Sequence, residues 1–228
     1  MTLEDLQKQI GYKTRDKGLY DLAFVHRSFV NESKDVNEHN ERLEFLGDAV
    51  LELVSTTYLY DNFPDKLEGE LTSWRAALVR KENLAAVAKE LDFGSLLKLS
   101  RGEEKTGGRD KDYILANTLE AFIGALYLDQ GYEKAKDFID RHVLSRLDDI
   151  LAAGLHIDAK SQLQEMAQEE LGVTPVYELL ADEGPDHDKT FLMGVKIGDD
   201  LAGQGKGSSK QAAEEEAARD ALKKKSWL

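Results

Sequence analysis

Through the first two-thirds of this chain the apolar residues recur every three to four positions, segment after segment, and one proline, Pro64, interrupts them. Leu3, Leu6 and Ile10 share a face. Leu43, Leu46, Val50, Leu53 and Val54 continue with helical spacing, as do Leu78, Leu84, Val87, Ala88 and Leu91. Residues 114–128 follow, then Phe138, Ile139, Val143, Leu147 and Ile150. A period near 3.6 cannot lie in a sheet, where side chains alternate at every second residue. Residues 1–152 are therefore expected to form an all-α domain, with short breaks at residues 61–65 and in the glycine-bearing loop 101–110.

The texture changes after Ala152-Ala153-Gly154. Residues 158–171 read as an amphipathic helix, with Asp158 as N-cap and Gly172 just past the end. Residues 176–180 and 190–197 look like strands, with turn chemistry at Glu183-Gly184-Pro185-Asp186 between them. A turn at Gly198-Asp199-Asp200 leads to a short third strand over 201–205, and Ser209 opens a last helix to about Lys225. The expected architecture is an all-α N-terminal domain (1–152), a linker (153–156) and a small α+β domain of order α-β-β-β-α (157–228).

Composition excludes several functions. The chain has no cysteine, so a disulfide scaffold, a zinc–thiolate site and a cysteine nucleophile are ruled out. No apolar run approaches the roughly 18 residues of a membrane span, and the charged start MTLEDLQKQI lacks the layout of a signal peptide. A reducing, cytoplasmic setting is the expectation. The formal net charge of −14 argues, taken alone, against a polyanionic partner.

Local patterning argues the other way. In His39-Asn40-Glu41-Arg42-Leu43-Glu44-Phe45-Leu46-Gly47-Asp48-Ala49, helical geometry places Glu41, Glu44 and Asp48 within about 60° of one another, opposite Leu43, Leu46 and Val50. Acids opposite an apolar face are also what any solvated helix shows. Two details favour a site. Phe45 and Leu51 flank the acidic stripe, and Gly47 costs about 1 kcal/mol in a helix interior, which suggests that another backbone comes close there. A second pair, Asn117 and Glu120, sits at i, i+3 on a strongly apolar helix, where a carboxylate is costly unless paired or ligated. Acids gathered this way repel unless a divalent cation joins them. Mg²⁺ prefers such hard oxygen ligands and supports phosphodiester hydrolysis. His26 and Ser28 lack a G-x-S-x-G elbow and a third triad member, so His26 is read as a buried or capping residue.

The run from Asn40 to Ala49 resembles the signature of bacterial ribonuclease III. Supporting segments are Ala23-Phe24-Val25-His26-Arg27-Ser28, Glu68-Gly69-Glu70-Leu71, Leu78-Val79-Arg80, the stretch 101–108 and the helix from Ile114. Their order and spacing extend the resemblance over nearly the whole chain. It implies that Glu44, Asp48, Asn117 and Glu120 occupy metal-binding and catalytic positions, with Asp48 and Glu120 the essential acids. It also implies Mg²⁺ as cofactor with Mn²⁺ as a substitute, and assisting roles for Glu41 and Glu68. Phe45 would be an aromatic that plugs the partner in a homodimer; on sequence alone it could equally be a core residue. Many family members carry aspartate where this chain has Asn117, so one negative charge is lost and weaker Mg²⁺ binding is expected.

The C-terminal pattern resembles a double-stranded-RNA-binding domain, carried by residues 158–165, 174–177, 184–187 and 205–210. Such modules read the shape, 2′-hydroxyls and phosphates of A-form RNA. Ser161, Gln164, Glu165 and Gln168 would meet one minor groove, and His187 with its loop the next. Ser209 and Lys210 would meet phosphates at a helix start. Lys210 is followed by Gln211 and then Glu214-Glu215-Glu216, where relatives usually continue with lysines, so few phosphate contacts are expected. The resulting expectation is a homodimeric, Mg²⁺-dependent endoribonuclease. It would cut both strands of duplex RNA, leave 5′-phosphate and 3′-hydroxyl ends, and process precursor ribosomal RNA and other structured transcripts. The alternatives are an RNA-binding protein with a silent nuclease and an acidic helical scaffold.

Overall fold

The computed structural model describes residues 1–33, 35–155, 158–184 and 189–227. It divides into two compact units, Met1–His156 and Ile157–Leu228. The first is helical. Helix α1 (Leu3–Ile10) starts at a capping box, in which the Thr2 hydroxyl accepts from the Asp5 N–H and the Asp5 carboxylate from the Thr2 N–H. Helices α2 (Lys17–Ala23) and α3 (Arg27–Val30) follow, then the 22-residue α4 (Glu41–Asn62). Next come α5 (Glu68–Val79), α6 (Lys81–Glu90), α7 (Phe93–Leu96) and α8 (Arg101–Lys105). After α9 (Asp112–Gln130) the unit closes with α10 (Tyr132–His142) and α11 (Leu147–Ala152).

The stretch read as a glycine-bearing loop is mostly helical. The Ser100 hydroxyl caps α8 by accepting from the Glu103 N–H, and a 3₁₀ turn fills Gly108–Asp110. Three glycines, Gly102, Gly107 and Gly108, hid these short turns from a reading that needs several periods to see a helix.

The core is built around α9. Eleven of its residues are buried, on every side except that of Asn117 and Glu120. Phe122 gathers the rings of Tyr20, Phe93 and Phe138 at centroid distances of 5.4, 5.2 and 5.2 Å. Helix α4 lies against α9 backbone to backbone. A Cβ on Gly47 would stand 1.7 Å from the Glu120 carbonyl oxygen, and one on Gly124 would stand 2.2 Å from the Leu43 carbonyl oxygen. The close approach expected at Gly47 is thus present, and Gly124 is its counterpart. Leu53, grouped by periodicity with the core, is 56% exposed. Ten residues of helix carry it about 80° away from Leu43, off the buried face.

In the second unit α12 (Ala159–Leu171) begins at Asp158, whose side chain accepts from the Ser161 N–H, and ends at a left-handed Gly172. Strands β1 (Val176–Glu183), β2 (Thr190–Ile197) and β3 (Asp200–Gly207) form an antiparallel sheet in that order. Val176 pairs with Lys196, Phe191 with Gly207, and a bulge interrupts each ladder. Ser209 caps α13 (Lys210–Lys224). Alanines 213, 217 and 221 of α13 lie directly on the alternating glycines 203, 205 and 207 of β3, where no side chain would fit. This unit has its own core, including Leu163, Val195, Ile197 and Leu222. The observed order is the α-β-β-β-α expected, with β1 and β3 each longer than their apolar runs implied. No described helix is long and apolar enough to cross a membrane.

Candidate active site and nucleic-acid interface

The start of α4 is anchored by Asn40, which is 3% exposed. Its amide donates to the Ala23 carbonyl (3.0 Å), its N–H to the Val25 carbonyl (3.0 Å), and its own carbonyl accepts from the Glu44 N–H (2.9 Å). This fixes the first turn of α4 on the end of α2. From there Glu41, Glu44 and Asp48 climb one side of the helix, Glu41 and Asp48 exposed and Glu44 half-buried. Helix α9 presents Asn117 and Glu120, both half-buried, across the glycine crossing.

The two helices meet electrostatically. Burial pushes the Glu120 carboxyl up to about 8, reinforced by the charges of Asp48, Glu44 and Glu52. Burial also raises Glu44, as do the charges of Glu41 and Asp48, while a hydrogen bond from the Asn117 amide pulls it down. Asn117 also brings an amide oxygen to this cluster, a hard acceptor without charge. Among the described residues no three His, Asp or Glu side chains form a ready-made metal cage. The gathered donors are carboxylates and one amide, and the carboxylates repel one another.

Glu52 belongs to this neighbourhood and was missed in the sequence. Its spacing from Asp48, i, i+4, continues the acidic stripe, a signal that was available. Glu41 faces Arg27 at 3.6 Å and His39 at 3.8 Å. Glu68 stands elsewhere: it opens α5, accepts from the Thr72 hydroxyl (3.0 Å) and lines a groove with Tyr60, Phe63 and Arg75. Phe45 is not a core residue of the subunit, being 81% exposed. His26 caps α3, its Nδ1 accepting from the Ser28 N–H, and burial lowers its pKa.

In the second unit Ser161, Gln164, Glu165 and Gln168 are all exposed on α12, opposite the buried Ala159, Leu163 and Ala167. The Ser161 hydroxyl donates to Asp158 (2.8 Å), and the Gln168 amide to the Thr174 hydroxyl (3.3 Å). Lys210 is exposed in the first turn of α13, beside the capping Ser209. His187 lies outside the described residues. Neighbouring Lys160 is engaged internally, 2.6 Å from Glu214 and 4.8 Å above the Tyr177 ring.

Comparison with known proteins identifies both units. Residues 16–147 match the Ribonuclease-III-like family model, and residues 159–225 match that of the double-stranded RNA binding motif. Ribonuclease 3 of Pelotomaculum thermopropionicum is 46% identical over 220 residues, 96% of this chain and 91% of that one. Ribonuclease 3 of Oceanobacillus iheyensis is 45% identical over 224 residues, 97% of each chain. The nuclease domain of ribonuclease III from Campylobacter jejuni superimposes with a TM-score of 0.59 at 41% identity, over 64% of this chain and 95% of that one. The chain therefore belongs to the ribonuclease III family of double-stranded-RNA-specific endoribonucleases.

Proposed function

We propose that this chain cleaves both strands of duplex RNA in a Mg²⁺-dependent hydrolysis that leaves 5′-phosphate and 3′-hydroxyl ends. Asp48 and Glu120 are the essential acids, and Glu44, Asn117 and Glu120 hold the ion, with Mn²⁺ able to replace it. The observation that carries this reading is the close α4–α9 crossing at Gly47 and Gly124, which brings half-buried Glu120 to the acidic side of α4, where burial and those acids raise its pKa. A site so negative, lined by carboxylate and amide oxygens, fits a hard dication. When bound, Mg²⁺ supplies an activated water and charge stabilisation for the leaving oxyanion. The protein's own part is positional. Asn117 stands beside Glu44, and the glycine crossing holds Glu120 on the same side as the acids of α4. Burial and the neighbouring acids disfavour charge on Glu120, which a bound cation would offset.

Residues 1–152 serve as the nuclease domain, 153–156 as linker and 157–228 as the duplex-binding domain. There, Ser161, Gln164, Glu165, Gln168 and His187 face minor grooves, and Ser209 and Lys210 face phosphate. The functional unit is a homodimer. Phe45, Leu53 and Tyr60 are 81%, 56% and 74% exposed along α4, an apolar row that a second copy would cover. A Campylobacter jejuni nuclease-domain structure is likewise described in terms of a region involved in dimer formation. An antiparallel pair of α4 helices would bring the groove that holds Glu68 toward the partner's acids, which would give Glu41 and Glu68 their assisting place. The substrates are precursor ribosomal RNA and other structured transcripts, in the cytoplasm.

Incubating the full chain with long duplex RNA tests this. Cleavage with Mg²⁺, none with EDTA, and none by Glu120→Gln in either condition is the expected pattern. Duplex bound but intact with Mg²⁺ would instead favour an RNA-binding protein with a silent nuclease, with Asn117 as the lesion.

A further inference from the structure

Over residues 112–126, helix α9 leaves only Asp112, Tyr113, Asn117 and Glu120 outside the buried core. Tyr113, Asn117 and Glu120 stand at i, i+4 and i+7. Helical geometry therefore puts all three within about 60° of one another, on a single open stripe. Tyr113 lies about 6 Å along the helix from Asn117 and about 10 Å from Glu120. It is the most open of the three, 47% exposed, and none of the roles above uses it. Its hydroxyl is lightly held. It stands 3.5 Å from Oε1 of Glu103 on α8, at the limit of a hydrogen bond. The same oxygen is already engaged by the Lys111 ammonium at 2.7 Å. The phenol thus rests against a satisfied ion pair and remains available to a better partner. It also offers what the acids beside it do not: an apolar ring face, with a hydroxyl that both donates and accepts.

We infer that Tyr113 is a substrate-contacting residue at the edge of the active site. Its ring packs on a ribose, and its hydroxyl meets the 2′-hydroxyl of the strand whose backbone reaches Glu120. The contact falls a short way along that strand from the bond being cut. A-form duplexes display their 2′-hydroxyls in a wide, shallow minor groove, within reach of an exposed side chain of this kind. This rests on the active-site reading above and deepens it. The nuclease domain then reads the sugar for itself, and preference for RNA does not depend on the C-terminal unit alone.

The test compares the full chain with Tyr113→Phe and Tyr113→Ala in steady-state cleavage and in duplex affinity. The substrates are a duplex RNA and the same duplex carrying 2′-deoxynucleotides on both sides of the cut. On RNA, Tyr113→Phe should raise KM about fivefold, the worth of one hydrogen bond, with kcat within about twofold. Tyr113→Ala, which also removes the ring, should raise KM further. On the substituted duplex the unmodified chain should lose about the same fivefold, and Tyr113→Phe should add nothing to it, because both changes remove one hydrogen bond. Unchanged KM in both variants overturns the inference. So does a loss in kcat alone, or losses from Tyr113→Phe and from the deoxy substitution that multiply. If the unmodified chain cuts neither duplex, it is the active-site reading that fails, and the same comparison made in duplex affinity still decides the Tyr113 contact.

Discussion

Asn117 lies beside Glu44, among the residues proposed to hold the ion. In the proposed ligand set an asparagine offers a hard but neutral oxygen, so one negative charge is missing where an aspartate would supply it. Asn117→Asp should therefore lower the Mg²⁺ concentration giving half-maximal cleavage; an unchanged or higher requirement would remove Asn117 from the ligand set. Glu120 gives a pH prediction. Its pKa rises from the ordinary 4.5 to about 8 on folding, so between those values the folded chain keeps a proton that the unfolded chain has lost. Folding stability without metal must then fall as pH rises through that window, and this contribution levels off above about 8. Glu120→Gln removes it. In urea titrations with EDTA, the variant's advantage should grow from pH 5 to pH 8, whereas parallel curves for the two proteins would contradict the assignment.

At the scale of elements, the site is a product of the α4–α9 crossing. Gly47→Ala or Gly124→Ala drives a methyl group into opposing main chain, at 1.7 or 2.2 Å from a carbonyl oxygen. Overpacking of this kind costs about 1–3 kcal/mol, and backbone cannot move aside as a side chain can. Chemical denaturation should show that loss. Cleavage should fall further than stability explains, since the displaced atoms include the backbone of Glu120 itself. Much of this level was legible beforehand. The all-α half followed from sustained periodicity, the caps at Asp158 and Ser209 from their side-chain chemistry, and the approach at Gly47 from the penalty of glycine in a helix. Three things were not. The turns of α8 are too short to show a period. The bulges in both strand ladders leave no mark in alternation. Glu52 escaped because the eye stops at the end of a contiguous motif, while the helix continues the stripe another turn.

For the whole molecule, the question is how a chain of net charge −14 grips a polyanion. Among the described residues of the duplex-binding unit Lys206, Lys210, Lys223 and Lys225 are exposed and outside any ion pair, whereas Lys160 is tied to Glu214, Lys189 to Asp182, Lys196 to Glu178 and Lys224 to Asp220. Few free cations mean few displaced counterions, so log affinity against log salt should have a slope well short of about −8. A slope that steep would require about nine phosphate contacts, more than those four lysines supply. Association of subunits is expected to be mainly apolar. Phe45→Ala should shift the sedimentation equilibrium toward monomer, with little response to added salt. Finally, each of the two units closes its own apolar interior, one around Phe122 and the other around Leu163 and Val195. The carboxy-terminal piece thus has the makings of an autonomous module. Grafted behind an unrelated enzyme, it should still seek out paired strands, while the remaining catalytic half should stay folded and merely lose its taste for long helices.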